Sequence, residues 1–201
     1  MDDLKHTEQT ESAAAKTQEL PAIPGTVRED NEQFRSAQER IKDLIYADAP
    51  LGEILSILVL LIESQSPHML CSVLQISEDG NHVRHVVAPS LPDAYVKAID
   101  GSPIGPKHGS CGTAMFRGKP VIVSDVFTDP LWEDYRHYAA AIGVQACWST
   151  PIMSSKGKVL GSFAMYYREP RTPTGEESRL TNVATKLASL AIEHHASQPT
   201  I

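Results

Sequence analysis

The sequence predicts an α/β fold of the α+β kind, built on an antiparallel five- or six-stranded sheet. Three observations predict it. Two pairs of β-prone runs are each joined by a polar turn. Helix-periodic segments stand at both ends of the chain. Between the two hairpins, residues 91–143 mix short helices, one strand and Gly-Pro loops. The terminal helices are expected on one face of the sheet. The central segment is expected on the other, as the cover of a pocket.

The elements follow in order. Residues 1–25 are polar and end in the turn-prone PAIPG, which suits a disordered tail. An N-terminal helix is expected within 26–49. There Phe34, Ala37, Ile41 and Leu44 recur at spacings of three and four. Asp48 is a candidate cap for a second helix, Leu51 to Glu63, which is apolar on most sides and so deeply packed. Leu70 to Ser77 and His82 to Ala88 form the first hairpin across Glu78-Asp79-Gly80-Asn81. A short helix is expected from Asp93, and a second from Cys111 to Phe116, capped by Ser110 and stopped by Gly118. PVIVSD, 120–125, is a strand, with Asp125 capping the turn that follows. A further helix should start at Asp129-Pro130 and run to about Ala141. Val144 to Met153 and Lys158 to Tyr167 form the second hairpin. Thr174 and Glu177 are spaced as a capping box for the last helix, whose apolar face holds Leu180, Val183, Ala184, Leu187, Leu190 and Ala191. The main domain is expected over 50–197.

Composition removes several function classes. The chain has 201 residues, 41% hydrophobic and 21% charged, enough for one packed domain with an extension. A net charge of -7 argues against a general nucleic-acid binder, which needs a basic stripe. Eleven acidic and six basic residues precede Pro50, so much of the acidity sits in the extension. Cys71, Cys111 and Cys147 are far apart with no CxxC, which disfavours a thiolate metal site. The N-terminus lacks an apolar signal core. The longest apolar run, Ile54 to Ile62, is shorter than the roughly 20 residues a bilayer requires. A reduced, soluble, cytoplasmic protein with no membrane partner is the expectation.

Catalytic groups are hard to find. No Ser-His-Asp arrangement, P-loop or GxGxxG is legible. Glu133 and Asp134 are adjacent, so on a helix they diverge and make a poor acid–base pair. Gly109-Ser110-Cys111-Gly112 before a helix is only a weak anion loop. Pocket-forming residues are easier to propose. Trp132, Tyr135 and Tyr138 share one helical face, and Trp148, Phe163, Met165 and Tyr167 lie on the second hairpin. They form either a ligand wall or ordinary packing of a helix on the sheet. His108 sits in a Gly-Pro loop, and Ser149 and Thr150 could hydrogen-bond a guest or belong to a polar strand face.

Two stretches carry a family resemblance: GSCGTAMFRGKPVIVSDVFTDP at 109–130 and ACWSTPIMSSKGKVLGSFAMYYREPRTPTGEE at 146–177. Over about Pro50 to His195 the chain resembles a GAF domain, the small-molecule sensor module of bacterial signalling proteins. The resemblance implies a non-enzymatic regulatory domain in signal transduction. It also implies a homodimer paired through its terminal helices, Phe34 to Tyr46 and Leu180 to Glu193. An unidentified small molecule would be its ligand, and a signalling effector would act in trans. The ligand-binding candidates are His108, Cys111, Met115, Trp132, Tyr135, Tyr138, Cys147, Ser149 and Met165; no catalytic or metal residue is expected. The cofactor is unspecified. Haem would need a second axial ligand beside His108. A bilin cysteine is usually followed by His, whereas Gly112 follows Cys111 and Trp148 follows Cys147. The family's cyclic-nucleotide set, Asn-Lys-Phe…Asp-Glu, is absent. One enzymatic branch, the free methionine-(R)-sulfoxide reductases, gives the alternative, using Cys111 and Cys147. That branch has a further cysteine near the position of Gly101 and another in the connection spanning Thr128 to Gly143, and neither is present here. The contrasting reading makes all three cysteines small buried hydrophobes.

Overall fold

A computed structural model of the protein describes residues 27–198. The expected tail over 1–25 lies outside the described residues. Five strands form one antiparallel sheet: β1 Leu70–Ile76, β2 Val83–Val87, β3 Val121–Val123, β4 Ala146–Met153 and β5 Val159–Tyr167, in the order β2-β1-β5-β4-β3. Helices α1 Val27–Tyr46, α2 Leu51–Glu63 and α6 Gly175–Ser197 pack on one face. The other face carries α3 Asp93–Ile99, α4 Gly109–Arg117 and α5 Arg136–Ile142, with a 3-10 turn at Pro130–Trp132.

The helical layer is held mainly by α2. Ile54, Leu55, Leu58, Val59 and Ile62 are all buried, and at about 2 kcal/mol for each side chain they anchor the layer to β1. Ile41 and Ile45 of α1 are fully buried against the same core. On α6, Leu180, Ala184, Leu187, Ala188, Ala191 and Ile192 face the sheet and α2. The capping box forms as the spacing implied. The Thr174 hydroxyl accepts from Glu177 N at 3.2 Å, and Glu177 accepts from Thr174 N at 2.8 Å. Glu177 also accepts from Tyr167 Oη at 2.6 Å and from Arg171 at 2.8 Å, which ties the end of β5 to the start of α6.

Both faces of the central strands are buried, but they differ in bulk. Cys71, Val73, Trp148, Phe163, Met165 and Tyr167 point into the helical layer. The alternate residues, including Ser72, Cys147, Ser149, Ser162, Ala164 and Tyr166, point the other way. β1 and β5 approach each other closely at Gly161. A Cβ there would lie 2.1 Å from the Leu74 carbonyl oxygen, which backbone cannot yield.

Three local expectations are corrected. Asp48 does not cap α2; its φ is 56°, Pro50 holds the cap position, and the Asp48 carboxylate accepts from His194 Nε2 at 2.8 Å. Ser110 does not cap α4, which begins at Gly109; the hydroxyl is buried and used elsewhere. The helix expected from Asp129 to Ala141 is broken. It turns as 3-10 through Pro130–Trp132 and restarts at Arg136, so Trp132, Tyr135 and Tyr138 do not share one α-helical stripe. Asp125 does close its turn, accepting from Phe127 N at 2.9 Å.

Two predictions follow from these contacts. Gly161→Ala should lower stability by roughly 3 kcal/mol by forcing β1 and β5 apart. Gly52→Ala, in a helix with open space at its Cβ, should be neutral or stabilising by about 0.5 kcal/mol. Urea midpoints at constant slope compare the two, and equal losses contradict the close approach. Burial opposes ionisation of Glu177, but the bonds from Tyr167 and Thr174 and the Arg171 charge prevail, so its carboxyl sits below the usual value. A depressed carboxyl stabilises the fold fully above about pH 4.3, and that stability is lost as pH falls through the folded value. Glu177→Gln should therefore cost roughly 2 kcal/mol at neutral pH. It should also weaken the acid dependence of unfolding, and an unchanged acid limb would contradict the assignment.

Candidate functional site

A half-open hollow of about 40 Å3 lies beside the start of α4. Its floor is Leu74, Val83 and Tyr166 of the sheet. Tyr95 and Ile99 of α3 form one wall. The start of α4, Gly109 to Gly112, forms another, and Trp132, Tyr135 and Tyr138 a third. Ser102, Pro103 and His108 close the top. Among the described residues, no Asp, Glu, Lys or Arg lines it. The space equals that of roughly three waters.

A buried chain of hydrogen bonds sets the walls. Trp132 Nε1 donates to Ser110 Oγ at 2.8 Å, and Ser110 Oγ donates to the Cys147 carbonyl at 3.0 Å. This joins the 3-10 turn, α4 and β4. The loop above α4 fits closely because position 112 is glycine. A Cβ there would meet the Pro103 carbonyl oxygen at 2.9 Å and the His108 Cβ at 3.1 Å. Two contacts latch this loop to the segment carrying the aromatics. Lys107 Nζ donates to Glu133 at 3.0 Å, and His108 Nδ1 lies 3.3 Å from Tyr135 Oη. The ion pair is exposed, so it holds the loop only weakly.

Under the hollow lies a polar cluster. Tyr166 Oη is 2.9 Å from Ser72 Oγ and 3.9 Å from Cys111 Sγ. Cys111 Sγ is 3.0 Å from Ser149 Oγ, and Cys147 Sγ is 3.9 Å from the same hydroxyl. The neighbouring Cys147 thiol, with help from Ser149, Tyr166 and Ser162 against the opposing effect of burial, holds the Cys111 thiol below its ordinary value. Burial first, and then the charge at Cys111, push Cys147 well above it. Burial pushes Tyr95 and Tyr166 up as well, so both stay neutral donors. Among the described residues, no group of three His, Cys, Asp or Glu is placed to hold a metal ion.

The structure thus brings His108, Cys111, Trp132, Tyr135 and Tyr138 together at the hollow. Ser149 and Cys147 sit beneath it through Cys111. Met115 packs with Leu74 and Val83 behind the lining. Met165 lies on the opposite face of the sheet among the terminal helices, as do Trp148, Phe163 and Tyr167. Sequence reasoning does not identify Tyr95, Tyr166, Ser72 and Ser162 as site residues, and it reads Ser110 only as a cap. The available signal is the alternation of β1 and β5, which puts Ser72, Ser162 and Tyr166 on one strand face.

A five-stranded antiparallel sheet between terminal helices and a pocket-bearing segment defines a three-layer α+β domain. The family model described as "GAF domain" matches residues 48–193, and the chain belongs to the GAF family. It is 38% identical over 169 residues to the methyl sulfide methyltransferase-associated sensor of Methanosarcina acetivorans. That match covers 84% of this chain but 17% of the relative. Solved structures share the fold. The GAF domain of an Acinetobacter phosphoenolpyruvate-protein phosphotransferase has a TM-score of 0.61 at 16% identity, covering 85% of this chain and 99% of that one. Free methionine-R-sulfoxide reductase from Neisseria meningitidis has a TM-score of 0.62 at 14% identity, covering 88% and 98%.

The weak latch makes a prediction. Lys107→Ala should speed amide hydrogen exchange in 103–108 by a few-fold and leave exchange in β4 and β5 unchanged. Uniform acceleration across the sheet would show that the loop does not open on its own.

Proposed function

We propose that this chain is a sensory signalling domain that binds a small uncharged molecule in the hollow and regulates without catalysis. The observation that carries this reading is a hollow lined by four tyrosines and a tryptophan, with no carboxylate, ammonium or guanidinium among the described residues that line it. Burying a charge there would be costly without a partner, so an uncharged guest is favoured. Tyr135 and His108 offer hydrogen bonds that orient it. With the loop closed, the space suits a guest of a few heavy atoms; a larger one requires the 103–108 loop to lift. The sensor name of the Methanosarcina relative supports the signalling role.

The proposal includes a homodimer and an effector in trans, in the cytoplasm. Most of the apolar stripes of α1 and α6 are used inside the helical layer. The pairing surface would therefore draw on what stays outward: Leu60, which is exposed, and the partly buried Phe34, Leu44, Ile57 and Leu61. No described helix is long and apolar enough to cross a membrane.

A reductase of the free methionine sulfoxide type is the second reading. It is favoured by one observation, the contact of Cys111 and Cys147 with the same Ser149 hydroxyl. Native mass spectrometry of protein purified from its host should show a retained small mass, and release of that mass without change supports sensing. Turnover of free methionine sulfoxide by the wild type would replace sensing with catalysis. Analytical ultracentrifugation should show a dimer; a monomer at high concentration, with and without the retained molecule, removes the dimer.

A further inference from the structure

The thiol cluster under the hollow has features that guest binding does not require. Cys111 is partly accessible and lines the hollow, whereas Cys147 is fully buried beneath it and does not. The Cys111 sulfur is surrounded by groups able to donate: Ser149 Oγ at 3.0 Å, Tyr166 Oη at 3.9 Å, and the neighbouring Cys147 thiol. Ser162 adds a fourth. Its hydroxyl is fully buried and is the buried side-chain polar atom left without a hydrogen bond of ordinary geometry among the described residues. It nevertheless lies near enough to Cys111 to favour a negative sulfur. A buried hydroxyl without an acceptor is costly, and an anionic sulfur supplies one. A donor nest around one sulfur, with a second thiol 3.9 Å from the Ser149 hydroxyl that the first also meets, is the environment of a reactive cysteine rather than of a small core hydrophobe.

We propose that Cys111 is a peroxide-modified cysteine and that Cys147 resolves it, closing a disulfide between α4 and β4 under the hollow. The oxidant is hydrogen peroxide or a small organic hydroperoxide, whose few heavy atoms match the space that leads to the sulfur. The Cys111 thiolate attacks one peroxide oxygen, the O–O bond breaks, and the departing hydroxide or alkoxide takes a proton to leave as water or alcohol. Cys111 is then a sulfenic acid. The Cys147 sulfur attacks the Cys111 sulfur, the S–O bond breaks, and the Cys147 proton leaves with the hydroxide as water. The overall change oxidises two thiols to one disulfide and reduces one peroxide. An external dithiol reverses it. The order is fixed by access, because the oxidant meets Cys111 first and Cys147 only through it. Cys71 stays out of the reaction. It lies on the opposite sheet face, and burial raises its thiol well above the ordinary value. The modification does not depend on whether the hollow also takes a guest.

The test begins with fully reduced full-length protein, treated with increasing hydrogen peroxide, alkylated and mapped by peptide mass. The expected result is a Cys111–Cys147 linked peptide, reversed by dithiothreitol, with Cys71 still alkylated. In Cys147→Ser, reaction should stop at a Cys111 sulfenic acid that dimedone traps. In Cys111→Ser, oxidation of Cys147 should be at least roughly ten-fold slower, since a raised thiol supplies little thiolate. The wild-type rate should rise with pH and reach its half-value below the ordinary thiol figure of about 8.5. Tyr166→Phe and Ser149→Ala should move that half-value upward. Oxidation of Cys71 as fast as Cys111 overturns the proposal, as does a wild type that proceeds to sulfinic acid with no linked peptide. Because the mapping uses wild-type protein, instability of a variant does not decide it. Native mass spectrometry of the reduced protein reports guest retention separately, so the sensing reading and the thiol reading fail on different results.

Discussion

One buried hydroxyl organises the pocket side of this domain. Ser110 Oγ gives its proton to the Cys147 carbonyl and accepts from the Trp132 indole. Those two bonds fasten the first turn of α4 to β4 and draw the 3-10 turn over the hollow. The Trp132 ring then stands edge-on to Tyr135, at 6.4 Å between centroids, and completes the wall. A hydrogen bond of this kind adds only about 1 kcal/mol net, yet leaving either partner bare in this interior would cost more. The geometry is therefore maintained by the penalty for breaking it.

The two sheet faces divide the work. On the helical side, Phe163, Met165 and Tyr167 pack between β5 and the helices. Arg171 lies over the Tyr167 ring at 4.3 Å and reaches Glu177, so this side is locked to the start of α6. On the pocket side, Ser72, Ser149, Ser162 and Ala164 alternate with the residues of that face, and Leu74 and Tyr166 of the same parity floor the hollow. The packed floor therefore lies under a loop, 103–108, that an exposed ion pair latches only lightly. The α2 and α6 helices contact the same strands from the other side, which gives a route from floor to helices.

Much of this architecture is legible in the residues. The two hairpins, the capping box at Thr174 and Glu177, and the division into terminal and central layers follow from periodicity and turn chemistry. The family follows from the 109–130 and 146–177 stretches. Which strand parity faces the pocket is harder to read. Alternation normally marks a face by polarity, but here both faces are buried, so Met165 and Tyr166 look equally apolar from sequence. Neither polarity nor size separates the two, so the sequence admits Met165 to the pocket wall, whereas in the structure it packs among the terminal helices. The 129–141 segment misleads in another way. Its aromatics are spaced as if on a helix, but the chain turns at Glu133 to Tyr135 and delivers them to the hollow by a different path. Ser110 looked like a cap because hydroxyls before helices usually are; its burial came only with the tertiary fold.

The central claim is that the hollow between Leu74, Tyr95, Cys111 and Tyr166 can receive a guest. Xenon tests it without knowledge of the natural ligand, since it enters apolar cavities of sufficient size. Amide chemical shifts recorded under xenon pressure should move in a saturable way at Leu74, Tyr95, Cys111 and Tyr166, and stay still at Phe163 and Met165. Shifts absent from the first group, or spread equally over both sheet faces, would contradict the account.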